Sequence, residues 1–85
     1  MPPPEVYYLI GVNGNDNDAL DVIEKVGDHV NELTGVGLRR GETPTVLVRL
    51  DVADEQQAAA APLRLAEICQ PIQVSIERVE APKPH

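Results

Sequence analysis

The sequence predicts a single α+β domain of element order βαββαβ, an antiparallel four-stranded sheet with two helices on one face. Three observations carry this. Four segments are rich in β-branched and aliphatic residues. Two longer segments between them repeat apolar residues at helical spacing. The chain has 85 residues, enough for one core and no second module.

The first strand is expected over 6–12, Val-Tyr-Tyr-Leu-Ile-Gly-Val, apolar at both parities as in a strand with partners on both edges. Asn13-Gly14-Asn15-Asp16-Asn17 breaks it with residues that favour turns. A helix is expected over 18–33, capped by Asn17 or Asp18, with Ala19, Leu20, Ile23, Val26, Gly27, Val30 and Leu33 inward. Gly27 in that stripe would let the helix approach the sheet closely. Thr34-Gly35 is the expected helix stop. Residues 36–40 form a weak strand, diluted by Gly35 and Gly37.

After the turn Gly41-Glu42-Thr43-Pro44, residues 45–52 alternate cleanly. Val46, Val48, Leu50 and Val52 point one way, and Leu47, Arg49 and Asp51 the other. Asp54 and Gln57 have capping-box spacing, opening a helix to about Cys69 with Ala58, Ala61, Leu65, Ile68 and Cys69 inward. Pro62 inside it removes a hydrogen bond and predicts a kink or a second start, with Leu63 exposed or drawn in by the bend. Residues 72–77 alternate as the last strand. Right-handed crossovers then put the first and third strands in the middle of the sheet, the ferredoxin-like arrangement. Tyr7, Leu9, Leu47, Arg49, Gln73, Ser75 and Glu77 fall on the face away from the helices. The domain is expected over 5–80, between proline-rich tails at 1–4 and 81–85.

A net charge of −7 and a pI near 4.5 argue against a nucleic-acid or anionic-membrane binder. With one cysteine, Cys69, no intrachain disulfide forms and a cysteine zinc site has no ligand set. No apolar run nears the roughly 20 residues that span a bilayer, and no secretion signal opens the chain. A cytoplasmic protein is expected.

Catalytic groups are sparse. His29 stands alone on a helix margin and His85 lies in the tail. Cys69 falls on the inward stripe at a helix C-terminus, the wrong dipole end for a thiolate. Asn13, Asn15, Asn17, Ala19, Asp21 and Glu24 match a calcium-loop count, but glycine is missing where Asp18 stands. Gly11-x-x-Gly14 precedes a helix without a P-loop lysine, and Asp16, Asp18 and Asp21 would repel a phosphate there. No enzyme, metal or cofactor is expected.

The element order, the glycine-containing turn after the first strand and Leu33-Thr34-Gly35-Val36 leading into the second resemble ACT domains, over residues 6–79. That resemblance implies a regulatory module that binds an amino acid at a subunit interface. RNA-recognition modules share the sheet, but Leu47 and Arg49 stand where bases would stack.

Three functions follow, in order. The first is a protein-interaction or regulatory domain whose open sheet face or an edge strand docks a partner, a second copy first, through Tyr7, Leu9, Leu47, Arg49 and Gln73. The second is an ACT-like sensor of a small ligand at the first strand–helix loop, through Asn13, Gly14, Asn15 and Asp16. The third is an acidic inhibitor of a basic groove, through Asp21, Glu24, Asp28 and Glu32 with only Lys25 interrupting them.

Overall fold

Residues 5–80 are described by a computed structural model; the tails expected at 1–4 and 81–85 lie outside the described residues. The elements are β1 (Glu5–Val12), α1 (Asp16–His29), β2 (Leu33–Arg39), β3 (Thr45–Asp51), α2 (Glu55–Cys69) and β4 (Val74–Val79). One antiparallel sheet has the order β2-β3-β1-β4. Its centre is the β1–β3 pair, with Leu9 opposite Leu47 and Tyr7 opposite Arg49.

Alternation decides which side is dry. Val6, Tyr8, Ile10 and Val12 of β1 and Val46, Val48 and Leu50 of β3 are buried beneath the helices, joined by Val52 just past β3. Ala19, Val22 and Val26 of α1 and Ala58, Ala61, Leu65 and Cys69 of α2 close the core from above. Arg64 of α2 ties the two helices together at the end of α1. It pairs with the Glu32 carboxylate and donates to the His29 carbonyl, where the helix dipole is negative.

α1 differs from its expected form at both ends and in rotation. Its cap is Asn15, whose side chain accepts from Asp18 N at 3.1 Å while Asp18 accepts from Asn15 N at 2.9 Å. This reciprocal capping box begins the helix two residues early. The helix ends at Val30, which turns extended and buries its side chain, so Leu33 starts β2 opposite Leu50. Thr34 and Gly35 are therefore strand residues, at a bulge, and not a helix stop. On the wheel Val22 faces the core, whereas Leu20 is 50% exposed and no atom lies within 4 Å of a Cβ built on Gly27. The stripe centres on Ala19 and Val26, and Leu20 sits about 100° from Ala19. Close approach at Gly27 does not occur.

Helix α2 runs unbroken through Pro62, without the expected second start, and Leu63 stays 69% exposed. Pro62 has no N–H for the carbonyl four residues back, which belongs to Ala58. The buried Tyr8 hydroxyl donates to that oxygen. A side chain from the central strand thus replaces the missing helix donor. β4 begins at Val74 and extends to Val79, two residues later than alternation alone suggested, because Gln70 to Gln73 form the turn out of α2.

Tyr8→Phe should cost about 1–3 kcal/mol, since the Ala58 carbonyl loses its donor in a dry site. The loss should shrink in a Pro62→Ala background, where residue 62 regains its amide. A double-mutant cycle by urea denaturation reads this; equal costs in both backgrounds would refute the coupling. Burial raises the Tyr8 pKa above 10.0, with Glu55 adding to the rise and Arg78 opposing it. The folded state holds this phenol proton more tightly than the unfolded chain. That share of stability is intact below about pH 10 and is lost as pH climbs through the raised value. Alkaline melting curves should fall less steeply for Tyr8→Phe than for the parent. Asn15→Ala should separately cost about 1 kcal/mol through the lost cap, read as a lower melting temperature.

Candidate functional site

Two helices cannot cover both faces of four strands, so one face has no second layer. Register places its side chains in three rows across β2, β3, β1 and β4. The first row is Gly35, Arg49, Tyr7 and Val79. The middle row is Gly37, Leu47, Leu9 and Glu77, and the third is Arg39, Thr45, Gly11 and Ser75. Tyr7, Leu9 and Leu47 are half-buried there, outside the monomer's core, shielded only by their neighbours on the face. Gln73 is not part of this group. It precedes β4 and sits beside Asn13 at the far end of the sheet.

Glycine on β2 shapes the face. Gly35 and Gly37 leave a hollow of about 270 Å³ bordered by Tyr7, Leu47 and Arg49. A second, of about 250 Å³, runs between Leu9, Leu47, Thr45 and Arg39. Arg49 lies along the first, held by Thr34: its Nε donates to Thr34 Oγ1 at 2.8 Å and its Nη2 to the Thr34 carbonyl at 3.1 Å. The Tyr7 hydroxyl first, and the Glu5 carboxylate 3.8 Å away second, raise its pKa further and keep it charged. Arg39 and Glu77 have no ion-pair partner among the described residues.

A different hollow, of about 370 Å³, opens at the end of the sheet where the β1–α1 loop meets β4. Gly11, Val12, Asn13, Thr43, Gln73, Val74 and Ser75 line it. Two backbone bonds pin its mouth, Val12 N to the Pro44 carbonyl and Asn13 N to the Gln73 carbonyl, each at 3.0 Å. The Asn13 amide also donates to Gln73 Oε1 at 3.3 Å. Gly11 leaves room here for the Ser75 hydroxyl, which would stand 2.8 Å from a Cβ and would have to turn away from one. Of the loop residues expected to meet a ligand, Asn13 faces this hollow. The Asn15 side chain is engaged in the helix cap, and Asp18 folds over Gly14, where a Cβ would meet its carboxylate at 2.2 Å. Asp16 is exposed in the first turn of α1. The lining therefore offers amides and hydroxyls, suited to hydrogen-bonding a small polar molecule, with no cation of its own.

The acidic stripe is shorter than expected. Asp21, Glu24 and Asp28 are exposed on α1, but Glu32 lies past the helix and pairs with Arg64. Lys25 does not interrupt the stripe; it is half-buried and donates to the Gln70 carbonyl at 2.8 Å. In the calcium-like count, Ala19 is buried in the core and Asp21 and Glu24 are helical, so these positions do not surround a common point. Cys69 is buried, and burial raises its pKa above 9.0 against the opposing pull of Lys25. No helix among the described residues is long and apolar enough to cross a membrane.

Thr43, Ser75, Gly35, Gly37, Arg39 and Val79 were not singled out as a site from the sequence. Parity on a longer β2 and a later β4 is the signal that places Gly35, Gly37, Arg39 and Val79, while Ser75 already has the parity of the open face.

No protein-family model matches this sequence, and no curated protein matches it. Solved structures do. The chain superposes with a TM-score of 0.73 on the solution NMR structure of the ACT domain from GTP pyrophosphokinase of Chlorobium tepidum, at 13% identity, covering 100% of this chain and 96% of that one. On the crystal structure of PH0061 the TM-score is 0.63 at 17% identity, over 95% of this chain and 55% of that chain, so this protein spans about half its length. The shared property is the fold: this chain is a ferredoxin-like α+β domain of the kind the ACT domain displays.

Proposed function

We propose that this protein is a small regulatory domain, ACT-like in use as well as in shape, that senses a small zwitterionic ligand of the amino-acid class. The ligand occupies the hollow between the β1–α1 loop and the start of β4. The observation that carries this is the end-to-end likeness to an ACT domain, since the hollow lies at the strand–helix junction where the resemblance implies a ligand. The lining is consistent in chemistry. Asn13, Gln73, Thr43 and Ser75 supply uncharged donors and acceptors for a carboxylate. Exposed Asp16, outside the lining in the first turn of α1, is an acidic group near the loop that an ammonium would meet. A hollow of about 370 Å³ is within the usual range for small-molecule sites. Phosphate ligands fit less well, because Asp16 and Asp18 carry negative charge at the same helix end.

A panel of amino acids, with nucleotides and Ca²⁺ as contrasts, tests the reading by thermal shift. A ligand bound only by the folded state stabilises it by about 2.7 kcal/mol at a hundred times its dissociation constant. Each kcal/mol moves the melting temperature of a domain this size by about 4–8 °C. The expected result is a rise with one or a few amino acids that Asn13→Ala and Gln73→Ala abolish while leaving the unliganded melt nearly unchanged. No rise at millimolar amino acid, or a rise untouched by both substitutions, overturns the site.

A further inference from the structure

The open face has holes on one side and knobs on the other. On β2, Gly35 and Gly37 contribute no side chains; on β4, in the same rows, Val79 and Glu77 do. Charge is divided only in part. Arg39 and Arg49 lie on β2 and β3 and Glu77 on β4, with Arg39 and Glu77 without ion-pair partners in the protomer's described residues. Glu5 and Asp51 add an acidic row at one end of β1 and β3, where Glu5 pairs with Arg49 of the same protomer. Leu47 and Leu9 lie side by side at the middle of the face, one on each central strand.

We propose that this face docks a second copy of the chain, sheet against sheet, about a two-fold axis parallel to the strands and passing between β1 and β3. Such an axis puts β3 over β1 of the second copy and β2 over its β4, and keeps each row level. Leu47 then meets Leu9 of the second copy, and Leu9 meets its Leu47. The Arg49 guanidinium lies over the Tyr7 ring of the second copy, a cation–π arrangement. The gap above Gly37, where no atom lies within 4 Å of a built Cβ, receives Glu77, which comes beside Arg39, while Val79 packs against the Arg49 guanidinium that lies over Gly35. Every contact occurs twice, as a closed two-fold interface requires. Stacked sheets interdigitate at about 10 Å when one side's bulk fills the other's gaps, and this pattern supplies that fit. The exposed carboxylates of α1, Asp21, Glu24 and Asp28, are on the helix layer and stay clear of the contact.

The sheet edges fit a partner less well. β4 presents charged Glu77 and Arg78, and β2 is irregular at its bulge between Leu33 and Gly35. Neither edge brings Leu9, Leu47 and Tyr7 into contact with anything.

Sedimentation velocity without added ligand tests the dimer, with circular dichroism and thermal melts to verify folding of each variant. The parent should sediment as a dimer at micromolar concentration and Leu47→Asp as a folded monomer. Arg39→Glu or Glu77→Arg alone should weaken dimerisation roughly tenfold, because each brings like charges together twice. The double variant Arg39→Glu/Glu77→Arg should recover most of the loss, a readout that survives should Leu47→Asp fail to fold. A parent that stays monomeric to millimolar concentration overturns the proposal. So does a dimer indifferent to both single charge reversals and to Leu47→Asp, which would place the contact elsewhere. Ligand sensing at the β1–α1 hollow is read by a separate measurement, a melting shift under added amino acid.

Discussion

The whole molecule follows from one constraint: two helices have to shield a four-stranded sheet, and they reach only one side of it. Period-two alternation in β1 and β3 meets this by sending Val6, Tyr8, Ile10, Val12, Val46, Val48 and Leu50 under the helices. The helix faces that cover them are built from small residues, Ala19, Ala58 and Ala61, together with Val22, Val26 and Leu65. Small residues let the helices lie close to the sheet, and close packing recovers the dispersion contacts that a small core needs. The same alternation leaves Tyr7, Leu9 and Leu47 on the other side. Their half-exposure is therefore a consequence of the cover, and any use the face has is built on it.

Tyr8 shows how local and global demands are reconciled. A proline in a helix interior costs about 3 kcal/mol or more, partly through the carbonyl it orphans. In α2 that carbonyl belongs to Ala58, which faces the sheet and is buried. Water cannot satisfy it there, so the donor has to come from the strand beneath. Tyrosine on β1 supplies an apolar ring for the core and a hydroxyl at the required reach. The bond fixes α2 against the central strand at one register. Arg64 performs the matching task on the helix side, joining α2 to the end of α1 through Glu32 and His29.

The strand order was legible through the handedness of crossover connections, and the buried parity of β1 and β3 and the cap of α2 because each depends on a strict period or on interactions within a few residues. The ends of α1 were not. Asn15, Asn17 and Asp18 can all cap, and only the fold of Asp18 over Gly14 decides among them. Leu20 drew the predicted stripe toward itself by its size, although Val22 lies nearer the wheel position of Ala19 and Val26. β2 starts at Leu33, three residues earlier than expected, with a bulge at Thr34, and the two glycines expected to dilute it carve the open face. Gln73 has the parity of the open face, but the turn after α2 delays β4 and carries it to the loop end. Gains and losses of this kind arise where a boundary residue is chosen by tertiary contact and not by its neighbours in sequence.

The two proposed surfaces meet at one row. Gly11 and Ser75 belong to the third row of the open face and also line the strand-end hollow. That hollow has amides and hydroxyls but no cation among its lining residues, which leaves a ligand carboxylate without a charged partner. In the face-to-face pair, β2 of one copy crosses β4 of the other with rows level, so Arg39 of the second copy stands over Ser75. In that pair a guanidinium beside both Glu77 and Ser75 would add positive charge in a form suited to bidentate carboxylate recognition. Ligand affinity and association would then draw on the same arginine, and by linkage each would strengthen the other by the same factor. A monomer would keep a site of hydrogen-bonding groups alone, weaker and less selective for acids. The glycine-lined side of the sheet and the polar end of β1 would thus be two halves of one regulatory device, brought together by symmetry.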